Sequence, residues 1–296
     1  MLILLAGLTG NLMFKTIALI TNYDAGIILD TLKTVTRFLM SRKIEVLLDE
    51  HCSGLLPDTG CRLADTESLR ECDLAIAIGG DGTMLRAAHT LADLDIPLLG
   101  INRGRLGFLA DIPADSVEEH LEQILKGDYV EDERFQLHCQ VERDNKVLLE
   151  SDAFNDVIIQ KGNVAKLIEL ETYVNGNFVH SQRSDGMIVA SPTGSTAYAL
   201  SGGGPILHPL LNALVLVPIC PHTLSNRPIV IGGDSRVEIV VGQPQDHTAL
   251  TCDGEICCNM EIGDRVVIYK KDKKIRLIHP PNHNHFSILR AKLHWG

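Results

Sequence analysis

The 296-residue chain reads as α/β plus all-β: an N-terminal doubly wound α/β domain followed by a C-terminal β-sandwich-like domain. Three observations predict this. From Lys15 to Lys126, short apolar runs alternate with segments of helical periodicity, the pattern of parallel strands and crossover helices. Beyond Gly127 that periodicity gives way to short β-rich runs bounded by turn residues. Hydrophobic residues make up 45% of the chain, enough for a packed core and against global disorder.

Lys15 to Thr21 is a buried-strand run. Ile28, Leu32, Val35 and Leu39 stand at helical spacing within 27–40, and 44–48 is a second strand. Residues 52–70 are polar and broken by Gly54, Pro57 and Gly60, which predicts a loop with one short helix. Leu74 to Ile78 is continuously apolar, as in a strand buried on both faces of a parallel sheet. Leu85, Ala88, Leu91 and Ala92 form one stripe of a helix over 84–94, and 96–101 is the next strand. Ser116 and Glu119 make a capping-box pattern ahead of Val117, Leu121, Ile124 and Leu125.

Short strands follow at 135–141, 146–150, 157–160, 167–174, 178–181 and 187–190, with Asn175-Gly176 as a hairpin turn. Others lie at 213–217, 229–231, 237–241, 249–252, 265–269 and 275–278. Only Ser195 to Leu200 can begin a helix there. Phe286, Leu289 and Leu293 recur at i, i+3, i+7, a short terminal helix expected to dock back on the α/β domain. The limits read from this pattern are an N-terminal extension at 1–14, the α/β domain at 15–128, the β-rich domain at 129–280 and the helix at 281–296.

The net charge of −11, from 27 basic and 38 acidic residues, argues against binding nucleic acid or an acidic membrane. Aromatics, at 4%, are too few for a base-stacking surface. The eight cysteines contain no C-x-x-C pair and read as reduced thiols of a cytoplasmic protein, with Cys257-Cys258 more a packing pair than a reactive one. Residues 1–13 are apolar but lack a basic leader region, and no run reaches the ~18 apolar residues of a membrane span.

Candidate chemistry concentrates in a few places. Gly79-Gly80-Asp81-Gly82-Thr83 lies between a buried strand and a helix, where a doubly wound sheet binds ligands and backbone can approach a phosphate. Asp81 would repel a bare phosphate. It suits a hydroxyl whose proton it accepts, or a phosphate met through a metal ion; a tight turn with Asp81 as cap is the structural alternative. The Rossmann and Walker glycine patterns are absent at this turn. Arg103 and Arg105 follow the next strand and are candidate phosphate partners or a solvated basic loop. Asn155-Asp156 offers paired acceptors for ribose hydroxyls or a base edge, or forms a turn; Lys166 and Arg183 would bring positive charge nearby.

The segment from Asp185 to Gly204 concentrates hydroxyls at Ser191, Thr193, Ser195 and Thr196 beside glycines, which suits a phosphate- or sugar-bearing ligand and equally a polar surface turn. His279, His283, His285 and His294 cluster near the end without cysteine or carboxylate company, so no protein-held metal is expected there.

G-G-D-G-T at 79–83, N-R-G-R-L-G-F-L at 102–109, N-D at 155–156 and S-D-G-M-I-V-A-S-P-T-G-S-T-A-Y-A-L-S-G-G-G-P-I at 184–206 occur in this order. Together they resemble the bacterial NAD kinase family, over a stretch from about Lys15 to the C-terminus. G-G-D-G also occurs in 6-phosphofructokinases and in diacylglycerol and sphingosine kinases, whereas the S-P-T-G-S-T-A-Y segment is the specific part. The resemblance implies transfer of the γ-phosphate of ATP to the adenosine ribose 2′-hydroxyl of NAD, with Mg²⁺ or another divalent metal. Asp81 would then be the proton acceptor.

Ligand contacts would map to Asp81, Gly82, Asn155, Asp156, Arg183, Asp185, Thr193 and the run Thr196, Ala197, Tyr198, Ala199, Leu200 and Ser201. Lys166 stands where relatives vary among basic residues, Glu255 where glutamine is often found, and Asp156 where glutamate is common. The resemblance further implies a dimer or tetramer and a composite site between domains or subunits. Two rival readings are another G-G-D-G kinase, acting on a sugar phosphate or lipid, and a non-catalytic NADP-binding sensor. Turnover without NAD would mark the first, and an intact Asp81 speaks against the second.

Overall fold

The computed structural model describes residues 13–22, 25–57, 59–104, 106–162, 166–223, 225–243 and 248–295. Of the expected extension only Met13 and Phe14 fall within them, and Phe14 is buried against Tyr129. The chain divides into two units, residues 1–133 with 275–296 and residues 134–274. The first boundary thus lies at 133, five residues past the position read from composition, and 275–280 belong with the first unit rather than the β-rich one.

The first unit runs β1 (Thr16–Ile20), α1 (Ala25–Ser41), β2 (Glu45–Leu48), α2 (Glu50–Leu55), β3 (Arg62–Leu63), α3 (Thr66–Leu69), β4 (Leu74–Ile78), α4 (Asp81–Leu91), β5 (Leu98–Asn102), β6 (Ile112–Pro113) and α5 (Val117–Leu125). Its sheet is parallel, in the order β3-β2-β1-β4-β5, with β6 also on β5. Leu277 and Ile278 add a further parallel segment beside Leu98 and Leu99. The order reverses between β1 and β4, so successive crossovers leave in opposite directions there and open a crevice at the strand ends. Every residue of β4 and β5 is buried, and α1 covers them with Ile28, Leu32, Val35, Phe38 and Leu39.

Two local expectations fail for identifiable reasons. The capping box at Ser116 does not form, because Ala114–Ser116 is a 3-10 turn that holds Ser116 at φ −118°, ψ 20°, out of the extended cap conformation. A capping box forms instead at Asp65, whose carboxylate accepts the Ser68 N–H at 2.7 Å while its own N–H donates to Ser68 Oγ. Residues 52–70 accordingly hold parts of two short helices and a strand.

The second unit begins inside β7 (Val130–Arg143) and continues with β8 (Lys146–Ala153), β9 (Asp156–Gln160), β10 (Ile168–Val174), β11 (Asn177–Ser184), β12 (Gly186–Ala190), α6 (Tyr198–Ser201), β13 (Ala213–Ile219), β14 (Ile229–Gly232), β15 (Val237–Gln243), β16 (Ala249–Cys252) and β17 (Glu255–Asn259). β18 (Arg265–His279) leads out of it, and α7 (His285–Leu293) follows in the first unit. One antiparallel sheet runs β14-β13-β12-β9-β16-β17. The other orders β11-β10-β15-β18 and carries the β7–β8 hairpin.

Alternate residues of both sheets, among them Val157, Ile159, Met187, Val189, Leu170, Ile239 and Val241, share one core, as in a sandwich. The intervening residues Ile158, Ile188, Val215 and Val217 are buried too, beneath Ala199 and Leu207. The 192–207 segment therefore roofs the second face of the six-stranded sheet.

β18 is one 15-residue strand where sequence suggested two. Its central charges, which read as a break, are met by carboxylates: Lys270 pairs with Asp234, and Lys271 with Asp152 at 2.5 Å. α7 buries Ile288 and Leu289; of the stripe Phe286, Leu289 and Leu293, Leu289 is buried and Leu293 half-buried, while Phe286 is 58% exposed. Among the described residues no helix is long and apolar enough to cross a membrane.

Candidate active site

An open cleft of about 670 Å³ lies where β1, β4 and β5 end, lined by Gly26, Gly79, Gly80, Asp81, Asn102, Arg103, Gly104, Gly107 and Lys292. This is the topological switch point of the sheet, where side chains of crossover helices do not close over the strand ends. Gly79 is fixed by its N–H to the Ile101 carbonyl at 2.9 Å, and the Thr83 hydroxyl donates to Asn22 Oδ1 at 2.5 Å.

Asp81 opens α4 three residues earlier than the apolar stripe suggests, and its carboxylate turns to the 107–110 loop. Oδ2 accepts the Phe108 N–H at 2.9 Å, and Oδ1 accepts Leu109 and Ala110 N–H at 3.0 and 3.2 Å. A carboxylate has about four lone-pair sites, so one site on Oδ2 remains open. Only glycine fits at 107, because a Cβ there would lie 2.2 Å from Asp81 Oδ1. Asn102 locks the same loop, donating to the Ala110 carbonyl at 3.3 Å and accepting the Gly104 N–H at 2.7 Å. Lys292 of α7 brings an ammonium to the cleft, 5.5 Å from the Phe108 ring centroid.

A second cleft, about 400 Å³, lies in the β unit and is lined by Asn155, Asp156, Ala197, Tyr198, Thr251, Asp253 and Gly254. Asp253 organises it. Its carboxylate accepts the N–H groups of Phe154, Asn155 and Asp156 at 2.7, 2.7 and 3.1 Å, and its own N–H donates to the Asp156 carbonyl at 3.0 Å. Asp253 and Gly254 occupy the left-handed region, φ 50° and 86°, in the tight turn joining β16 to β17. Burial first, and the Asp253 charge second, push Asp156 up to about 7. Asn155 Oδ1 is a buried acceptor without a partner, a vacancy that suits a ligand donor.

The hydroxyl-rich segment is hydrogen-bonded within itself. Ser191 Oγ donates to the Phe154 carbonyl at 2.6 Å, Ser195 Oγ to that of Pro192 at 2.6 Å, and Thr196 Oγ1 to that of Thr193 at 3.1 Å. Thr193 Oγ1 accepts from Arg134 at 3.3 Å. These bonds tie the loop together through the hydroxyls of the segment. Gly194 lets that loop close on the Asn155 carbonyl, since a Cβ would stand 2.0 Å from it. Ala199 has no exposed surface and packs in the outer core, so its side chain is not at a ligand face.

Of the other residues singled out from sequence, Asp81 lines the first cleft, and Asn155, Asp156, Ala197 and Tyr198 line the second. Gly82, Lys166, Arg183, Asp185, Thr193, Thr196, Leu200, Ser201 and Glu255 line neither. Arg183 is exposed on β11, and Asp185 is paired with Lys161 at 2.6 Å. Arg105 lies outside the described residues. Asp253 and Lys292 were not anticipated. The Asp-Gly turn between two apolar runs was a signal for Asp253; for Lys292, in the last turn of α7, the sequence carries none.

The terminal histidines do have carboxylate company. Asp111 Oδ2 accepts from Nδ1 of His279 at 2.9 Å and of His283 at 2.7 Å, across 168 and 172 residues. Burial works to raise the Asp111 pKa, but the two imidazoles outweigh it and hold the group at about 2. All eight cysteines are free, and burial pushes the Cys72 thiol up to about 12, which keeps it protonated and unreactive.

Residues 17–129 match the family model for the ATP-NAD kinase N-terminal domain, and residues 154–280 that for the ATP-NAD kinase C-terminal domain. The NAD kinase of Nitrosococcus oceani is 49% identical over 285 residues, 96% of this chain and 97% of the relative. That of Pseudomonas entomophila is 46% identical over 285 residues, 96% of each. Among solved structures, yeast NADH kinase complexed with NADH has the same fold, with a TM-score of 0.86, 21% identity and coverage of 97% of this chain and 89% of that one. So does an NAD kinase from Archaeoglobus fulgidus in complex with ATP, with a TM-score of 0.73, 24% identity and coverage of 93% and 99%. With the two halves of the chain matched to the two domains of one family, and nearly half its residues shared with members along almost their whole length, the chain belongs to the NAD kinase family.

Proposed function

We propose that the chain transfers the γ-phosphate of ATP to the 2′-hydroxyl of the adenosine ribose of NAD, giving NADP, and that Asp81 receives the hydroxyl proton. The carrying observation is the open lone pair on Asp81 Oδ2, set at the switch-point cleft by three backbone amides that hold the carboxylate from its other sides. Phosphoryl transfer asks a protein chiefly for alignment and charge stabilisation. The backbone at 80–82, at the start of α4, supplies donors for phosphate oxygens, and Lys292 and Arg103 supply cations.

Mg²⁺ would arrive on the triphosphate, where it neutralises charge on the donor phosphates. The cleft fits an ion that arrives already held by phosphate and water: the residues lining it form no cage of protein oxygens, and the one open site on Asp81 is left to the acceptor hydroxyl.

In the second unit, the unpartnered Asn155 Oδ1 and the carboxyl of Asp156 are the groups for ribose hydroxyls or a base edge, and the Tyr198 ring, 43% exposed, is available for stacking. Gly82, Lys166, Arg183, Asp185, Thr193, Thr196, Leu200, Ser201 and Glu255 remain contacts implied by the family pattern. The exposed apolar side chains Leu210, Ile256 and Ile262 fit the self-association implied with them. Free thiols and net acidity fit a cytoplasmic protein that does not bind nucleic acid.

The test is direct. Purified protein with ATP, Mg²⁺ and NAD should yield NADP, read by an NADP-specific dehydrogenase. ATP hydrolysis or sugar phosphorylation without NADP would reject the reading in favour of another G-G-D-G kinase. Tight NADP binding without turnover would reject it in favour of a sensor.

A further inference from the structure

Phosphoryl transfer makes no use of Asp111, His279 and His283. Asp111 directly follows the loop that cradles Asp81, His279 ends β18, and His283 sits in the turn before α7. The two imidazoles stack, with centroids 3.9 Å apart and planes 24° apart, and both aim Nδ1 at one carboxylate oxygen. The Asp111, His279 and His283 side chains are 6%, 1% and 12% exposed. Two buried atoms in this group, Asp111 Oδ1 and His279 Nε2, have no hydrogen-bond partner. Orphaned polar atoms are rare and costly in a buried cluster whose role is only to hold the fold.

We propose that Asp111, His279 and His283 form a site for a divalent transition metal ion of the zinc class, distinct from the magnesium carried by ATP. The three ligand atoms already lie within 4.8 Å of one another, drawn from three separate chain segments. Two imidazoles and a carboxylate are a ligand set that zinc-like ions take, whereas magnesium and calcium favour oxygen. Such a set leaves a fourth tetrahedral position to water.

The unpartnered nitrogen supports the same assignment. A neutral imidazole that gives Nδ1 to a metal carries its proton on Nε2. His279 Nε2 faces Asp132 Oδ2 at 4.0 Å. Metal ligation thus converts an orphaned acceptor into a donor aimed at a carboxylate, the usual outer partner of a metal-bound histidine. Asp111 Oδ1, orphaned without the ion, lies on the same carboxylate and becomes available to it. The ion would tether the loop bearing Phe108, Leu109 and Ala110 to the C-terminal segment, so its role is positional rather than catalytic.

The experiment uses the full chain, stripped of metal with a chelator, desalted and free of nucleotide, so that it is independent of kinase turnover. Co²⁺ is the spectroscopic probe and Zn²⁺ the competitor. One equivalent of Co²⁺ should bind with the visible absorption of a nitrogen–oxygen tetrahedral site, be displaced by Zn²⁺, and resist excess Mg²⁺. His283→Ala, at the most accessible of the three ligands, should abolish that equivalent. Asp132→Asn, which leaves all ligands in place, should weaken it about ten- to hundredfold. Absence of a bound equivalent in the folded wild type, an unchanged spectrum in His283→Ala, or the intense near-ultraviolet bands of thiolate ligation would each overturn the assignment.

Discussion

Asp81 carries the sharpest expectation at the scale of single residues, and the structure changes what its test means. Asparagine removes the proton acceptor, and kcat should fall about 10²–10⁴-fold, the usual share of general acid–base catalysis. It is not a silent replacement in shape, however. Three N–H groups point at the carboxylate, and an amide must turn its own NH₂ toward at least one of them. Asp81→Asn should therefore also lower Tm, and NAD affinity must be measured beside kcat. A variant within threefold of wild-type kcat would remove the base role.

Asp156 gives a second expectation. Its proton is held more tightly in the folded than in the unfolded chain, with a folded pKa of about 7 against an ordinary carboxylate near 3.9. The folded state then binds more protons, so its contribution to stability is full below about pH 4 and falls as pH rises toward 7. Asp156→Asn, neutral throughout, should flatten that part of a Tm–pH profile and be the more stable protein at pH 8. A profile identical to wild type would contradict the buried, proton-retaining environment. Asp81, Asn155 and Asp156 were legible because a strand end or a strand start placed them. The tethering by Asp253 was not, because three accepted amides are invisible in a one-letter code.

Among the elements, α4 and the 191–201 segment respond oppositely to added side-chain bulk. Gly82 lies in the first turn of α4, where a Cβ meets nothing within 4 Å. Gly82→Ala should raise stability by about 0.5–1 kcal/mol through helix propensity. Lost activity in that more stable protein would show that a ligand approaches the backbone there; retained activity would release Gly82 from the site. Gly194→Ala, by contrast, drives a Cβ into the Asn155 carbonyl and should lower Tm and NAD affinity together. An unaffected Tm would mean that the loop gives way.

Periodicity located most strands and helices because burial imposes it. It failed where burial did not decide. β18 continues through Lys270 and Lys271 because acidic partners from other strands meet them. The Ser116 cap yielded to a preceding 3-10 turn, and α4 started at Asp81 because the switch-point loop, not the apolar stripe, sets its first turn. The metal-like cluster joins residues 168 apart, a distance that no local pattern spans.

For the molecule as a whole, the net charge of −11 leaves triphosphate binding to a few local groups and to the ion that accompanies it. EDTA should abolish turnover, and Mg²⁺ or Mn²⁺ should restore it; a chelator-resistant rate would remove the divalent ion from the reaction. Two domains of different class were legible from texture alone, since parallel strands buried on both faces and alternating antiparallel strands read differently. The first unit is discontinuous, formed from 1–133 and 275–296; the return of the terminal helix was expected from sequence, whereas that of Leu277 and Ile278 to its sheet was not. That discontinuity bears on how the protein is made. A ribosome delivers residues 134–274 entire before it releases Leu277 and Ile278, which pair with β5, or His279, which meets Asp111. The α/β unit, begun first, therefore stays without its last strand segment through the synthesis of all 134–274, and its sheet closes only when the final residues of the chain are delivered.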